Sequence, residues 1–212
     1  MSKVKIVGLG PGHKDYTLPA AYRAIEEANL LVGSRRSLEP FQEMIASQKK
    51  EVFYYQDNLQ AMVALLQKEK KLKNISVVVT GDPGFYSLLD FIKKHLEESE
   101  LEVIPGISSF QYLFSRLKRS YKEYGLYSLH GREINIKEQM AKHAGVFLLT
   151  DGKHTPSAIA NKLVAEGLGQ CNMVVGEDLS YPEERITKGK VLEFINQSFS
   201  TLCVVVIENE VG

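Results

Sequence analysis

Apolar and polar positions fall into two textures along the chain. In the first half, short runs of aliphatic residues at 4–7, 30–33, 52–55, 75–79 and 101–104 predict strands. Their lack of alternation predicts a sheet buried on both faces. Between them the apolar positions shift to helical spacing. Residues 19–28 read as a helix that Thr17 or Leu18 and Pro19 open, and Leu59, Met62, Val63 and Leu66 mark a second. Phe85, Leu88, Leu89, Ile92 and Leu96 predict a third, and Phe110, Leu113, Phe114 and Leu117 a fourth. Strand and helix in alternation predict a mostly parallel α/β sheet covered on both faces. After Arg119 the texture changes. An aromatic, partly alternating stretch at 121–129 is followed by strands at 145–149, 172–175 and 201–207, with a further strand at 185–188 that turns at Gly189-Lys190 into the 191–194 segment. Thr155-Pro156 opens a helix among them. More strands and fewer crossover helices predict a mixed sheet. The expected organisation is therefore two α/β domains with the boundary near 115–123, drawn as residues 1–117 and 118–212, without internal repeats or low-complexity tracts.

The polar residues concentrate where these strands end. The stretch 77–89, VVVTGDPGFYSLL, is the organising one: a β-branched run ends in Thr80-Gly81-Asp82-Pro83-Gly84 and the helical stripe follows at once. Asp82 reads in two ways, as the N-cap of a helix whose first residue is Pro83, or as a polar group at the carboxyl edge of a sheet, where open α/β proteins bind ligands. Similar loops recur. The first strand runs into Gly8-Leu9-Gly10-Pro11-Gly12, which lacks the Gly-Lys-Ser/Thr of a P-loop, and Pro11 breaks the dinucleotide spacing. Ser34 caps a segment carrying Arg35 and Arg36, which form either a solvated face or ligand contacts. Ser108 and Gln111 match a capping box, and a helix start there would also turn free N–H groups and the hydroxyls of Ser108 and Ser109 toward a polar ligand. The lysine run at 68–73 reads as a solvated surface.

Composition narrows the chemistry. The 212 residues are 44% hydrophobic, enough for a sizeable core, and Lys+Arg and Asp+Glu balance at 26 each. That balance predicts no nucleic-acid or membrane affinity, so an anionic ligand must be held locally. The start carries too short an apolar run for a signal peptide, and no stretch reaches a membrane span. The expected location is cytoplasmic, with Cys171 and Cys203 reduced and buried. The five histidines show no metal-ligand spacing, no Gly-x-Ser-x-Gly elbow is present, and neither cysteine has the setting of a nucleophile, so no protein-bound metal and no hydrolase chemistry are expected. Arg35, Arg36, His130 and Arg132, with Lys118 and Arg119 nearby, are the basic residues at loop positions. Arginine forks pair carboxylates bidentately, which suits a polycarboxylate substrate.

Taken together, GLGPG at 8–12, TGDPGFY at 80–86, VIPGISS at 103–109, LLTDGKHTP at 148–156 and GEDLSYPEERITKG at 176–189 resemble the tetrapyrrole methylase family. With SLHGR at 128–132, the wording looks most like its CbiE type, the precorrin-7 or cobalt-precorrin-7 carbon-5 methyltransferases of cobalamin biosynthesis. The resemblance covers essentially the whole chain. It implies two α/β domains that hold S-adenosyl-L-methionine in an interdomain cleft and release S-adenosyl-L-homocysteine. By motif, cofactor contacts fall at Pro11, Gly81, Asp82, Phe85, Ser108 and Ser109, and more loosely at Thr150, Asp151 and Glu177. Substrate contacts fall at Gly10, Gly12, Arg35, His130 and Arg132. The resemblance further implies a homodimer. Because the chain stops at Gly212, a separate decarboxylating carbon-15 methyltransferase subunit is expected as a partner.

A sulfonium methyl is already activated and a reduced tetrapyrrole meso carbon is an enamine-like nucleophile, so alignment and exclusion of water suffice, and no dedicated nucleophile is needed. A proton acceptor is the open question, with His130 and Asp82 as candidates. Three other readings stand beside this one. The target could be another ring position or diphthine within the same family. GLGPG could hold a nucleotide pyrophosphate. The chain could be a non-catalytic tetrapyrrole-binding subunit of a decarboxylating methyltransferase.

Overall fold

The computed structural model describes residues 3–56 and 58–209, so the outer ends of the expected domains, residues 1 and 212, lie outside it. The chain divides into two compact units, Met1–Ser108 and Ser109–Gly212.

In the first unit β1 (Val4–Gly8), β2 (Leu30–Gly33), β3 (Glu51–Tyr54), β4 (Ile75–Val79) and β5 (Leu101–Ile104) form one sheet in the order β3-β2-β4-β1-β5. Every pairing is parallel, as the unalternating apolar runs predict. The period of two sends successive side chains to opposite faces and makes two cores. Val7, Leu31 and Val78 pack on one face against α1 (Pro19–Glu27) through Ala21, Ala24 and Ile25, together with Leu38 of α2 (Arg35–Leu38). A short helix α3 (Gln42–Ser47) adds Met44 and Ile45. Ile6, Val32 and Val77 pack on the other face against Met62 and Leu66 of α4 (Leu59–Glu69), with Ile92 and Leu96. Each such fully buried aliphatic side chain contributes about 1.5–3 kcal/mol.

Two expectations for this unit are corrected. The helix after Asp82 does not begin at Pro83: residues 83–88 are turns and bends, and α5 (Leu89–Ile92) has only four residues. Tyr86, at φ +48°, takes the left-handed conformation that interrupts a helix. The lysine run at 68–73 is not a purely solvated face, because Lys70 pairs with Glu100 at 2.5 Å and Lys73 with Glu51 and Glu69 at 2.8 and 3.1 Å.

In the second unit β6 (Tyr124–Ser128), β7 (Gly145–Leu149), β8 (Asn172–Glu177), β9 (Arg185–Lys190) and β10 (Cys203–Glu208) give the order β6-β7-β10-β8-β9. Only β6 and β7 are parallel, so the sheet is mixed, as expected. The strand β9 runs on through Gly189 and Lys190, which pair with Met173 and Asn172 where a turn was expected. One face buries Val146, Leu148, Val175, Val205 and Ile207 against α7 (Ile136–Met140) and against Ile159 and Leu163 of α8 (Pro156–Ala165). Thr155 caps α8 by accepting from the Ala158 N–H. The other face receives α6 (Ser109–Leu117): Phe110 meets Phe147 edge-on and Phe114 meets Tyr124 at 4.7 Å. This packing of α6 is why the units divide at Ser108 and not at the 117/118 boundary read from the change of texture. Among the described residues no helix is long and apolar enough to cross a membrane.

Candidate functional site

Parallel pairing brings the carboxyl ends of all five strands of the first unit to one edge of the sheet. The chain leaves β1 toward β2 and leaves β4 in the opposite direction toward β5, so the β1/β4 pair is the topological switch point, where ligands bind in open α/β sheets. The two loops at that point are joined. Gly10 N donates to Gly81 O at 3.1 Å and Gly81 N to Gly10 O at 2.8 Å, an isolated antiparallel bridge beyond the sheet. Gly10 and Gly81 hold φ of +87° and +69°, where a side chain is strained.

The loop after β5 joins them. A Cβ on buried Gly106 would lie 2.1 Å from Gly81 O, 2.9 Å from the Gly8 carbonyl carbon and 3.0 Å from Gly10 N. Three backbones therefore meet with no room for a side chain. Asp82 fastens the arrangement: its Oδ2 accepts from Gly106 N at 3.0 Å and its Oδ1 from Gly84 N at 2.8 Å. Asp82 is thus no helix cap; its carboxylate spans two strand-end loops. Each of its oxygens accepts from one backbone donor.

Beside this clamp the structure places the other residues expected in this unit. A Cβ at Gly81 would meet only the Cα of buried Ser108, at 3.9 Å, leaving a surface free of side chains. Pro11 and Gly12 follow the bridge as a half-buried bend, and Phe85 lies half-buried against Tyr86. At the end of β2, Ser34 accepts from Ser37 N and starts α2, and exposed Arg35 lies 4.9 Å over the Tyr54 ring at the end of β3.

The mixed sheet of the second unit also collects its polar residues on one edge. The ends of β6, β7 and β8 and the starts of β9 and β10 share it: Cys203 faces Glu177, and Glu177 faces Arg185. After β6, residues 128–132 make a tight turn with Gly131 at φ +63°, and His130 and Arg132 are exposed. After β7, buried Thr150 donates its hydroxyl to Cys203 O at 2.5 Å. The Asp151 Oδ1 accepts from Lys153 N, His154 N and the His154 ring at 2.9, 2.6 and 2.9 Å. The His154 backbone N–H holds the Asp151 carboxyl down at about 2 against the pull of burial, with help from the ring and Lys153 N.

At the end of β8 the buried Glu177 accepts bidentately from Arg185 at 2.6 and 2.7 Å and from Ser200 N at 2.9 Å. Burial alone would raise its pKa; the Arg185 pair and the Ser200 N–H outweigh it and hold the carboxyl below its usual range. Asp178 and Ser180, at φ +44° and +71°, carry backbone strain in the loop that follows. Arg119, placed near the ligand loops by sequence, pairs with Glu208, whose strand partner Gly145 begins β7 at the opposite edge. Cys171 and Cys203 are both free; Cys171 is buried and Cys203 half-buried. Among the described residues no group of three or more His, Cys, Asp or Glu is placed to hold a metal.

Sequence reasoning missed Gly106 as a partner of Asp82, Arg185 as the counter-ion of Glu177, and His154 as the partner of Asp151. The last had a signal, the three-residue spacing within the 148–156 motif. The first joins loops 24 residues apart and had none; the second spans eight residues between the paired strands β8 and β9, and needs their register, which the sequence pattern does not state.

Comparison with known proteins follows the same lines. The family model for Tetrapyrrole (Corrin/Porphyrin) Methylases matches residues 3–195. A Salmonella typhimurium protein named cobalt-precorrin-7 C(5)-methyltransferase is 35% identical over 181 residues, covering 85% of this chain and 87% of its own length. A Methanocaldococcus jannaschii protein carrying that name with the prefix "Probable" is 32% identical over 213 residues and covers 98% of each chain. The crystal structure of a cobalamin biosynthesis precorrin-6Y methylase from Archaeoglobus fulgidus shares the fold with a TM-score of 0.75 at 26% identity, covering 99% of each chain.

Proposed function

The chain belongs to the tetrapyrrole methylase family, and from that membership we propose that it is a methyltransferase acting at carbon 5 of cobalt-precorrin-7 or precorrin-7, with S-adenosyl-L-methionine as donor. The observation that carries this reading is its identity, 35% across most of both chains, with a relative of that name. When bound, the donor supplies a methyl already activated on a sulfonium.

In this reading the residues of the chain position and enclose. Pro11, Gly81, Asp82, Phe85, Ser108 and Ser109 take the donor at the carboxyl edge of the parallel sheet, where the side-chain-free surface at Gly81 and the buried Ser108 favour a polar organic ligand. Thr150, Asp151 and Glu177 contribute from the mixed sheet. The Thr150 hydroxyl and the Glu177 carboxylate are already engaged internally, so those two contribute through backbone atoms. Gly10, Gly12, Arg35, His130 and Arg132 take the tetrapyrrole, with the guanidinium groups on its carboxylates. The enzyme works in the cytoplasm as a homodimer, alongside a separate carbon-15 methyltransferase that removes a carboxyl group.

The test is incubation of the purified protein with S-adenosyl-L-methionine and cobalt-precorrin-7. A mass gain of one methyl, located at carbon 5 by carbon-13 labelling, is expected. Methylation at another carbon moves the chain to another member of the family, and binding of the tetrapyrrole without turnover makes it a non-catalytic subunit.

A further inference from the structure

Methylation of a ring carbon that carries hydrogen forms a carbon–carbon bond, breaks the methyl–sulfur bond and leaves one proton to be removed. Among the described residues, the two acceptors suggested by sequence lack a partner that would orient a base. Asp82 has its two oxygens on backbone N–H groups. His130 is exposed, and among the described residues its hydrogen bond runs from the backbone N–H to the Ser128 hydroxyl and not from the ring.

The Asp151–His154 pair differs from both. The His154 Nδ1 lies 2.9 Å from Asp151 Oδ1, and the ring is largely enclosed, with 22% of the side chain exposed. The same oxygen accepts two backbone N–H groups, so the carboxylate is fixed before the ring meets it. A carboxylate is acceptor-only when ionised, which assigns the proton to Nδ1 and leaves the Nε2 lone pair open. Among the described residues no protein atom bonds Nε2. An imidazole held by a carboxylate at one nitrogen and open at the other is the arrangement of a general base. It stands on the sheet edge that also carries the 128–132 turn, and Lys153 beside it approaches Glu133 at 3.7 Å.

Resting on the methyltransferase reading above, we propose that His154 Nε2 accepts the proton released from the tetrapyrrole, with Asp151 as its positioning residue. The methyl moves from sulfur to carbon, the electron pair of the broken methyl–sulfur bond stays on sulfur, and the proton passes to Nε2. The resulting imidazolium is stabilised by Asp151 until it releases the proton to water.

The test combines two readouts on the full-length protein. Nitrogen-15 spectra of the ligand-free wild type are expected to show His154 protonated at Nδ1 and bare at Nε2 at a pH where the ring is neutral, and Asp151→Asn to lose that preference. In turnover with S-adenosyl-L-methionine and cobalt-precorrin-7, His154→Gln and Asp151→Asn are expected to lower kcat about a hundredfold or more, with the KM and S-adenosylhomocysteine affinity of His154→Gln within a factor of about two of wild type. Added imidazole is expected to restore part of the activity of His154→Ala. Wild-type turnover with an unimpaired His154→Gln, or an Nε2-protonated ring, overturns the assignment and leaves the methyltransferase reading standing. A wild type without turnover overturns both.

Discussion

The Asp82 carboxylate accepts the Gly106 N–H at 3.0 Å, joining loops from two strands that flank β1 on either side. Gly106 is buried, so loss of this acceptor strands a backbone donor. Asp82→Ala is expected to destabilise the protein by about 1–3 kcal/mol. Asp82→Asn retains one oxygen for two donors and is expected to fall between that variant and the wild type. Urea unfolding curves for the three proteins check the order.

Gly106 itself is the more stringent position. A Cβ there meets backbone atoms of Gly81, Gly8 and Gly10, none of which can rotate away. Gly106→Ala is expected to cost at least about 1–3 kcal/mol through overpacking. Gly152→Ala, with nothing within 4 Å of the added atom, is expected to stay within about 0.5 kcal/mol of wild type. Thermal melts of the two variants separate steric cost from a general intolerance of loop substitutions.

Much of this arrangement could be read from the chain, and the parts that could not share a cause. Parallel strands declared themselves because burial on both faces removes alternation, and the mixed sheet because Asn172–Glu177 and Cys203–Glu208 have no crossover helix of the βαβ kind between them. The polar loops were found at the strand ends where they occur. The helix expected from Pro83 failed because Asp-Pro before an apolar stripe is a local signal, whereas the partner that claims Asp82 is 24 residues away. Leu88, Leu89, Ile92 and Leu96 still pack on Ile75 and Val77, through one helical turn and a loop. Glu177 is the second case. The family resemblance suggested a cofactor contact there, and cross-strand pairing with Arg185 makes its carboxylate an internal lock.

That lock makes a prediction of its own. Arg185→Met leaves a buried carboxylate with the Ser200 N–H as its remaining donor, so the second unit is expected to lose stability. Glu177→Gln with Arg185→Met removes the stranded charge and is expected to recover part of the loss. A double-mutant cycle in chemical denaturation measures the coupling.

Acid should expose the Asp151 contact. Its pKa is depressed in the folded state, from 3.8 to about 2, so the stability it contributes is complete above pH 3.8 and is lost as the pH falls toward 2. The fall in melting temperature over this window is expected to be smaller in Asp151→Asn than in wild type. Equal falls would show that the carboxylate makes no such contribution.

Arg132 stands exposed in the turn after β6. Under the proposed function, Arg132→Ala is expected to raise KM for the tetrapyrrole roughly tenfold, the scale of one charge-assisted hydrogen bond. Affinity for S-adenosylhomocysteine is expected to be unchanged. Steady-state kinetics beside a binding titration separate the two ligands.

The central claim is that the loops gathered by Asp82 at the carboxyl edge of the parallel sheet form the donor site. Calorimetric titration of wild type and Asp82→Ala with S-adenosylhomocysteine, and then with NAD, tests it most directly. Micromolar binding of S-adenosylhomocysteine to the wild type is expected, with a loss of about tenfold or more in a variant that remains folded, and no binding of NAD. Equal affinity in the two proteins, or preference for NAD, would contradict the claim.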